Sequence, residues 1–337
     1  MVARASLLVL LIGLLCAVCA SVFVARRGAS SLRSFPLARR AMRAHLSALP
    51  ERWSWQHVTH ADAQIAQRVT GRALAPGRYA SPVFDQHSSR WCGCCYLVAA
   101  VQMIQDRLHV AMGRADHAAI DTMEPVLEFD MQRALDMYQA EHAATRSDGW
   151  NACKGGMPTS VLQAISDGRV DLVLTVSTRW RGHPVSATRT SAPVANTTIG
   201  EPTVLPNAPR ELMLRLITEG PLVLGINSLC LRDPRLARRK GVVDTTIVAP
   251  RDHAVTVIGW RPIDGRPHWI LRNSWGTEQV PTERPDAACV GVGFNECDVR
   301  TTSWVGDPDN PGHAYVDVEY AGLAGSPSAW YDAPVSV

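Results

Sequence analysis

The sequence lacks a strong excess of charge of either sign. Its 34 Lys and Arg residues nearly balance 31 Asp and Glu residues, which leaves a formal net charge of +3 over 337 residues. Proteins that bind nucleic acid through surface charge carry a large positive excess, so no such partner is indicated. The composition is not extreme either, with 46% hydrophobic and 19% charged residues. These values exclude a disordered chain and a multi-span membrane protein.

Acidic residues are missing from the first 50 positions, which contain seven Arg, whereas residues 51–337 have 27 basic and 31 acidic residues. Residues 6–25 form one unbroken apolar stretch that is long enough to span a bilayer. Val18-Cys19-Ala20 offers a small-residue cleavage site. We interpret residues 1–25 as a secretory signal peptide, with an uncleaved single-pass anchor as the alternative. The expected location is a lysosome-like compartment or the extracellular space, with membrane contact only through residues 6–25.

The rest of the chain divides into regions that differ in composition and in hydrophobic periodicity. Residues 26–48 form a short basic segment, and residues 49–325 form the expected globular domain, with an insertion at about 277–311 and a tail at 326–337. Helical periodicity comes first, at 95–110, 123–142 and 158–166. Short β-branched runs with turn residues between them follow, at 221–227, 254–260, 267–272 and 314–320. Residues 177–209 and 277–313 are interpreted as long loops. Helices followed by strands predict an α+β fold with two segregated halves.

The densest chemical feature is a cysteine cluster directly before the helix predicted at 95–110. Residues 86–96 read QHSSRWCGCCY. A cysteine at the first position of a helix lies at the positive end of the helix dipole, which lowers its thiol pKa and favours the thiolate. A thiolate nucleophile needs a general acid, which in turn needs an orienting group, and His253 and Asn273 each lie beside a predicted strand. The side-chain amide of Gln86 is a suitable oxyanion donor.

Other readings of the cysteines remain open at this point. Cys92, Cys94, Cys95 and Cys153 could form two structural disulfides, whereas their spacing does not fit the paired pattern of a zinc site. Cys92 and Cys95 also form a C-x-x-C pair, although the βαβ context of a thioredoxin-type oxidoreductase is missing.

Several segments resemble the papain-like cysteine peptidases, in the order that this family has them. Residues 92–96 (CGCCY) resemble the nucleophile motif, residues 252–255 (DHAV) the histidine segment and residues 269–276 (WILRNSWG) the asparagine segment. Residues 153–156 (CKGG) resemble a C-x-G-G element, and residues 219–221 (EGP) the turn before the central strands. The resemblance implies a two-lobed fold, with a helical N-terminal lobe, an antiparallel β-barrel-like C-terminal lobe and a cleft between them. Residues 26–48 would then be a prosegment.

The resemblance also implies a role for each matched residue. Cys95 would attack the peptide carbonyl, paired with His253, which Asn273 orients under the shield of Trp275. Gln86 would contribute to the oxyanion hole. Gly155 and Gly156 would bind the substrate backbone, and a Cys92–Cys153 disulfide would brace the active-site helix. The implied partners are peptide or protein substrates, with no cofactor and no metal. A monomer is expected, and Asn196 lies in the only glycosylation sequon.

Within this family, the cathepsin X group (also called cathepsin Z) is similar at two further points. Residues 49–55 (LPERWSW) resemble the start of its mature chain, and the gap between Gln86 and Cys95 carries a matching three-residue insertion. By resemblance, His87 would pair with the C-terminal carboxylate of a substrate, which predicts a carboxypeptidase. The alternatives are a papain-like endopeptidase and an inactive homologue that acts by binding. The inactive homologue is expected if the site is spoiled by Cys94, which replaces the usual Ser beside the nucleophile, or by the insertion at about 277–311.

Overall fold

A computed structural model of the chain describes residues 46–88, 91–115, 128–143, 149–173, 198–228, 231, 250–276, 313–317 and 330–336. The chain separates into two compact units, Met1–Ser47 and Ala48–Val337, and the elements below belong to the second. The helices are α1 (His60–Thr70), α2 (Cys95–Ala115), α3 (Met131–Ala143), α4 (Pro158–Ser166) and α5 (Pro209–Glu219), with a 3-10 helix at Ala152–Lys154. The strands are β1 (Trp53–Ser54), β2 (Thr198–Ile199), β3 (Thr203–Leu205), β4 (Leu222–Ile226), β5 (His253–Ile263), β6 (Arg266–Arg272), β7 (His313–Asp317), β8 (Trp330–Asp332) and β9 (Val335–Ser336).

The predicted α+β class is confirmed, and the sheet is antiparallel throughout. Six strands pair in the order β3-β8-β4-β5-β6-β7. Strand β1 pairs with β5 at Gly259 and Trp260, beyond the stretch of β5 that pairs with β4. The lobe expected to be barrel-like does not close: among the described strands the sheet is open, with β3 and β7 at its edges. A second, two-stranded sheet joins β2 to β9.

Two hydrophobic cores correspond to the two predicted halves. One core packs α2 against α3 and α4, and the other packs the sheet against α1 and α5. The helical periodicity at 95–110 leaves Gln105, Asp106 and Arg107 on a polar face of α2, and these side chains are buried. They are buried because α2 lies between the two cores, and its polar face is neutralised there by partners such as Arg272 and Asp332.

The strands that carry the site lie where the sequence predicts them. Strand β5 begins at His253 and β6 ends at Arg272, within a residue or two of the predicted bounds. They are joined at Asp264 and Gly265, both of which have positive φ angles (50° and 77°), as a two-residue hairpin turn requires. Helix α4 matches its predicted range, and α3 begins later than predicted, at Met131.

Several short elements differ from the sequence-based expectation. Strands β2 and β3 lie within the predicted loop 177–209, and β8 and β9 lie within the segment 326–337 that was expected to be a tail. Strand β8 pairs with both β3 and β4, so this segment is part of the main sheet. Such two- or three-residue strands have no periodicity of their own, because pairing and burial define them.

Other predicted features lie outside the described residues. These are the apolar stretch 6–25, the basic segment up to residue 45, the insertion 277–311 and the sequon at Asn196. Within the part of the chain that the structure describes, no helix is long and apolar enough to cross a bilayer.

Candidate active site

The predicted nucleophile, Cys95, is the first residue of α2, and the segment before it is tied down covalently. Cys92 forms a disulfide with Cys153, which confirms that pairing and excludes a Cys92–Cys95 redox pair. The backbone N–H of Gly93 donates to the carbonyl of Cys153 (2.8 Å). A side chain at position 93 would lie 2.7 Å from that carbonyl oxygen, so only glycine allows the approach. Cys95 is therefore held beside residues 153–156.

The Gly155-Gly156 segment packs against the start of the same helix. The phenol of Tyr96 donates to the carbonyl of Ala152 (2.9 Å). A Cβ atom at position 156 would lie 2.5 Å from the ring of Tyr96, so the ring occupies the space that the missing side chain leaves. Tyr96 thus fixes the glycine segment along the cleft.

His253 and Asn273 are brought together by the register of β5 and β6. Arg272, the last residue of β6, pairs with Thr256 near the start of β5, so Asn273 directly follows the paired stretch at the end where β5 begins with His253. Nε2 of His253 lies 2.8 Å from Oδ1 of Asn273, and the backbone N–H of Ser274 donates to the same oxygen (2.8 Å). Because a backbone N–H can only donate, the orientation of the amide is fixed, and His253 must carry its proton on Nε2.

Trp275 covers this pair. Its indole ring is 4.4 Å from the imidazole of His253, centroid to centroid, and Asn273 behind it is only 1% exposed. Exclusion of water from the hydrogen bond between His253 and Asn273 strengthens it electrostatically.

Gln86 is held on the other side of the nucleophile by both of its amide atoms. Its Nε2 donates to the carbonyl of Cys92 (2.7 Å), and its Oε1 accepts from the hydroxyl of Ser274 (2.6 Å). Its backbone N–H also donates to the carbonyl of Ser274 (2.9 Å). The residue after Asn273 therefore orients Gln86 as well as the amide of Asn273.

His87 lies at one end of the same cleft between two indole rings. Its ring is stacked on Trp91 at 6.5 Å between centroids and tilted toward Trp275 at 6.4 Å. Its backbone N–H donates to Oδ1 of Asp85 (2.8 Å), which anchors the start of the loop.

These residues meet in one cleft of about 790 Å³. Seven predicted site residues line it: Gln86, His87, Cys95, Gly155, Gly156, His253 and Trp275. Asn273 lies behind His253 and orients its imidazole. The disulfide of Cys92 with Cys153 braces the wall that contains Cys95. The part of the chain with described side chains contains no group of three or more His, Cys, Asp or Glu residues that could hold a metal ion.

The electrostatics of the thiol differ from the sequence-based expectation. Burial raises the pKa of the Cys95 thiol to about 11, the carboxylate of Asp252 adds to the rise, and the backbone N–H groups of Ala254 and Tyr96 oppose it. The prediction that the helix position alone favours the thiolate is therefore wrong, because loss of solvation outweighs the dipole. Ionisation of Cys95 needs a nearby proton acceptor. Burial also raises the pKa of Cys94, which is a free thiol within the helical core.

Comparison with known proteins agrees with this geometry. Residues 67–280 match the model of the papain family cysteine proteases. The chain belongs to this family. It is 24% identical to caricain from Carica papaya over 58% of this chain and 49% of caricain. It is 21% identical to cathepsin S from Rattus norvegicus over 55% of this chain and 51% of that protein. The chain spans about half the length of these curated relatives.

Solved structures of the papain family share the fold. The chain matches the digestive procathepsin L2 proteinase from Tenebrio molitor with a TM-score of 0.52 at 15% identity, over 85% of this chain and 68% of that one. It matches the bromelain protease from Ananas comosus, solved with the E64 inhibitor, with a TM-score of 0.50 at 16% identity, over 85% and 99%. At these identities the likeness concerns the fold alone.

Two residues of the site, Ser274 and Asp252, were given no role in the sequence-based prediction. Ser274 lies within the quoted asparagine segment, yet its hydroxyl contact with Gln86 joins positions 188 residues apart, which no local pattern signals. Asp252 precedes His253 and accepts hydrogen bonds from the backbone N–H (2.6 Å) and hydroxyl (2.9 Å) of Ser228. These bonds turn its carboxylate toward β4 and hold the start of β5.

Proposed function

We propose that the chain hydrolyses peptide bonds with Cys95 as the nucleophile and His253 as the acid–base group. The observation that carries the proposal is the bond from Nε2 of His253 to Asn273, because it leaves Nδ1 as the basic nitrogen of the neutral ring. With the pKa of Cys95 raised to about 11, the thiol ionises by transferring its proton to this imidazole. The resulting thiolate and imidazolium stabilise each other in the cleft.

Hydrolysis then takes place in two steps. The Cys95 sulfur forms a bond to the carbonyl carbon, and the carbonyl π electrons move to oxygen. When this intermediate collapses, the C–N bond breaks and the leaving amine takes the proton from His253. Water then attacks the thioester carbon while His253 accepts a proton from it. The C–S bond breaks as the acid is released, and the thiolate of Cys95 is regenerated beside the protonated His253.

The negative charge on the carbonyl oxygen needs donors that are already oriented. The Nε2 group of Gln86 carries two hydrogens, one of which is donated to the Cys92 carbonyl. We assign the second, together with the backbone N–H of Cys95, to the oxyanion. Because Ser274 and Cys92 fix the amide of Gln86, no reorganisation is needed when charge develops.

The finer proposal is a carboxypeptidase of the cathepsin X kind. His87 lines the cleft on the side of Trp275, and stacking on Trp91 limits the rotation of its imidazole. A cationic imidazole in this place would form a charge-assisted hydrogen bond with the terminal carboxylate of a substrate. Gly155 and Gly156 would bind the backbone of the residues that precede the scissile bond.

The experiment that tests both levels uses one synthetic peptide, with a free or an amidated C-terminus, under mild reductant at pH 5–6. Mass spectrometry should show stepwise loss of single C-terminal residues from the free acid only, and no cleavage by the Cys95→Ala variant. Internal cleavage of both peptides would retain the peptidase and overturn the role of His87. No cleavage by folded protein, together with no alkylation by an epoxysuccinyl inhibitor, would favour an inactive homologue that acts by binding.

We also propose that residues 1–25 direct the chain into the secretory pathway, that residues 26–48 form a prosegment and that the enzyme is a monomer. N-terminal sequencing of the protein recovered from cells tests the first two points. A new N-terminus after residue 20 or 25 would indicate signal cleavage, and one near residue 49 would indicate removal of the prosegment. Light scattering tests the third.

A further inference from the structure

A lysine lines the cleft that contains the nucleophile, in a chain that has almost no lysine. The sequence contains only two lysines, Lys154 and Lys240, and its other basic residues are arginines. Lys154 is exposed and lines the same cleft as Cys95. None of the proposed hydrolytic steps uses this lysine.

The backbone of Lys154 is rigidly placed. It ends the 3-10 helix Ala152–Lys154, and its N–H donates to the carbonyl of Asn151 (2.8 Å). The side chain of Asn151 caps this helix by accepting from the N–H of Cys153 (2.7 Å). Cys153 is itself joined to Cys92, three residues before the nucleophile. The side chain of Lys154 therefore projects from a fixed point between the helix of Cys95 and the Gly155-Gly156 segment.

The surrounding charges favour an acidic ligand. Among the described residues that line the cleft, Asp252 is the one carboxylate, and both of its oxygens accept hydrogen bonds from Ser228. No described side chain forms a salt bridge or hydrogen bond with the ammonium group of Lys154. Arg251 lines the cleft from the other wall and adds a second cation. The described walls of the cleft thus carry more positive than negative charge.

We propose that Lys154 selects substrates with Asp or Glu at the residue whose carbonyl Cys95 attacks. This inference rests on the proposed peptidase function. A substrate that runs along Gly155 and Gly156 and presents its carbonyl to Cys95 places that residue's side chain next to Lys154. The carboxylate then forms an ion pair with the ammonium group at the edge of the cleft, where solvent screens part of the attraction.

The test compares two peptides that differ only by Glu or Gln at the position before the scissile bond. A single partly solvated ion pair predicts a kcat/KM ratio of about three- to fivefold in favour of Glu. Because the interaction is electrostatic, the ratio should approach 1 in about 1 M salt, where the screening length is about 3 Å. A ratio near 1 at low salt would overturn the proposal.

Three variants make the assignment to Lys154 specific. Lys154→Gln should bring the ratio close to 1, and Lys154→Glu should reverse it, so that the Gln peptide is cleaved faster than the Glu peptide. Lys154→Arg should retain the preference for Glu. The matched control is Arg68→Gln, which makes the same change of net charge on the exposed face of α1. If Arg68→Gln lowers the ratio as much as Lys154→Gln, the effect comes from overall charge and the proposal fails.

A binding measurement separates this inference from the proposed function. The affinity of the Cys95→Ala variant for the two peptides, measured by calorimetry, should show the same three- to fivefold preference without any turnover. If no peptide is hydrolysed but this preference is present and disappears with Lys154→Gln, the peptidase proposal fails and the acidic selectivity stands. If peptides are hydrolysed but neither affinity nor kcat/KM distinguishes Glu from Gln, the selectivity fails and the peptidase stands.

Discussion

The two walls of the cleft are built in different ways. The wall with Cys95 is restrained locally, by a disulfide, a capped 3-10 helix and a glycine that allows close approach to Cys153. The wall with His253 and Asn273 is positioned by strand pairing in the large sheet. Contacts between distant parts of the sequence join them, among them the buried ion pair of Asp106 with Arg272 and the hydrogen bond of Ser274 with Gln86. Chemical alignment therefore depends on long-range contacts more than on the sequence around the nucleophile.

The largest expected effect comes from removing His253, the proton acceptor on the wall that the sheet forms. With the pKa of its thiol raised to about 11, Cys95 alone is almost fully protonated at pH 7. His253→Ala should lower the rate of alkylation at pH 7 by about 10²- to 10⁴-fold, the range of general-base effects. The variant's alkylation rate should then rise with pH up to about 11. Equal rates for the two proteins at pH 7 would show that Cys95 ionises without His253.

The second effect concerns the ion pair that joins the walls. Nη2 of Arg272 lies 2.9 Å from Oδ2 of Asp106, and both side chains are fully buried. Arg272→Met leaves this carboxylate uncompensated and should lower the free energy of unfolding by about 3–5 kcal/mol in urea titrations. Arg169→Met, which removes the solvent-exposed ion pairs of Arg169 with Glu141 and Asp167, should cost far less than this. Adding Asp106→Leu to Arg272→Met should recover part of the loss. Failure to do so would indicate that the hydrogen bond from the backbone N–H of Ser81 to Oδ1 of Asp106 (2.7 Å) matters as much as the ion pair.

The third effect is confined to the nucleophile wall. Replacing both Cys92 and Cys153 by Ser removes a cross-link between residues 61 apart, which should cost about 2–4 kcal/mol of unfolding free energy. The comparison protein is Cys94→Ala, which changes a buried free thiol and keeps the disulfide. Thermal unfolding should show a clearly lower Tm for the double variant than for Cys94→Ala. Equal losses would mean that packing around the cluster matters more than the cross-link.

Much of the site could be predicted because its residues lie in short contiguous segments. The helix after Cys95 and the strand after His253 have clear periodicity, and the predicted disulfide of Cys92 with Cys153 is observed. The buried polar face of α2 was not predicted, because its neutralising partners come from distant elements such as Arg272. The rise in the pKa of Cys95 was missed for the same reason, since desolvation depends on the whole packed cleft.

The smallest expected effect distinguishes two roles of the wall formed by the sheet, namely orienting Gln86 and orienting His253 through Asn273. The hydroxyl of Ser274 donates to Oε1 of Gln86 (2.6 Å), so Ser274→Ala removes one of the bonds that orient the oxyanion donor. A neutral hydrogen bond contributes about 0.5–1.5 kcal/mol, which predicts a kcat lower by about two- to tenfold. Alkylation of Cys95 by iodoacetamide forms a C–S bond, expels iodide and generates no oxyanion, so its rate should not change. The ratio of the hydrolysis rate to this alkylation rate is the readout. If alkylation slows as much as hydrolysis, Ser274 acts through His253 and Asn273, since its backbone N–H also donates to Asn273.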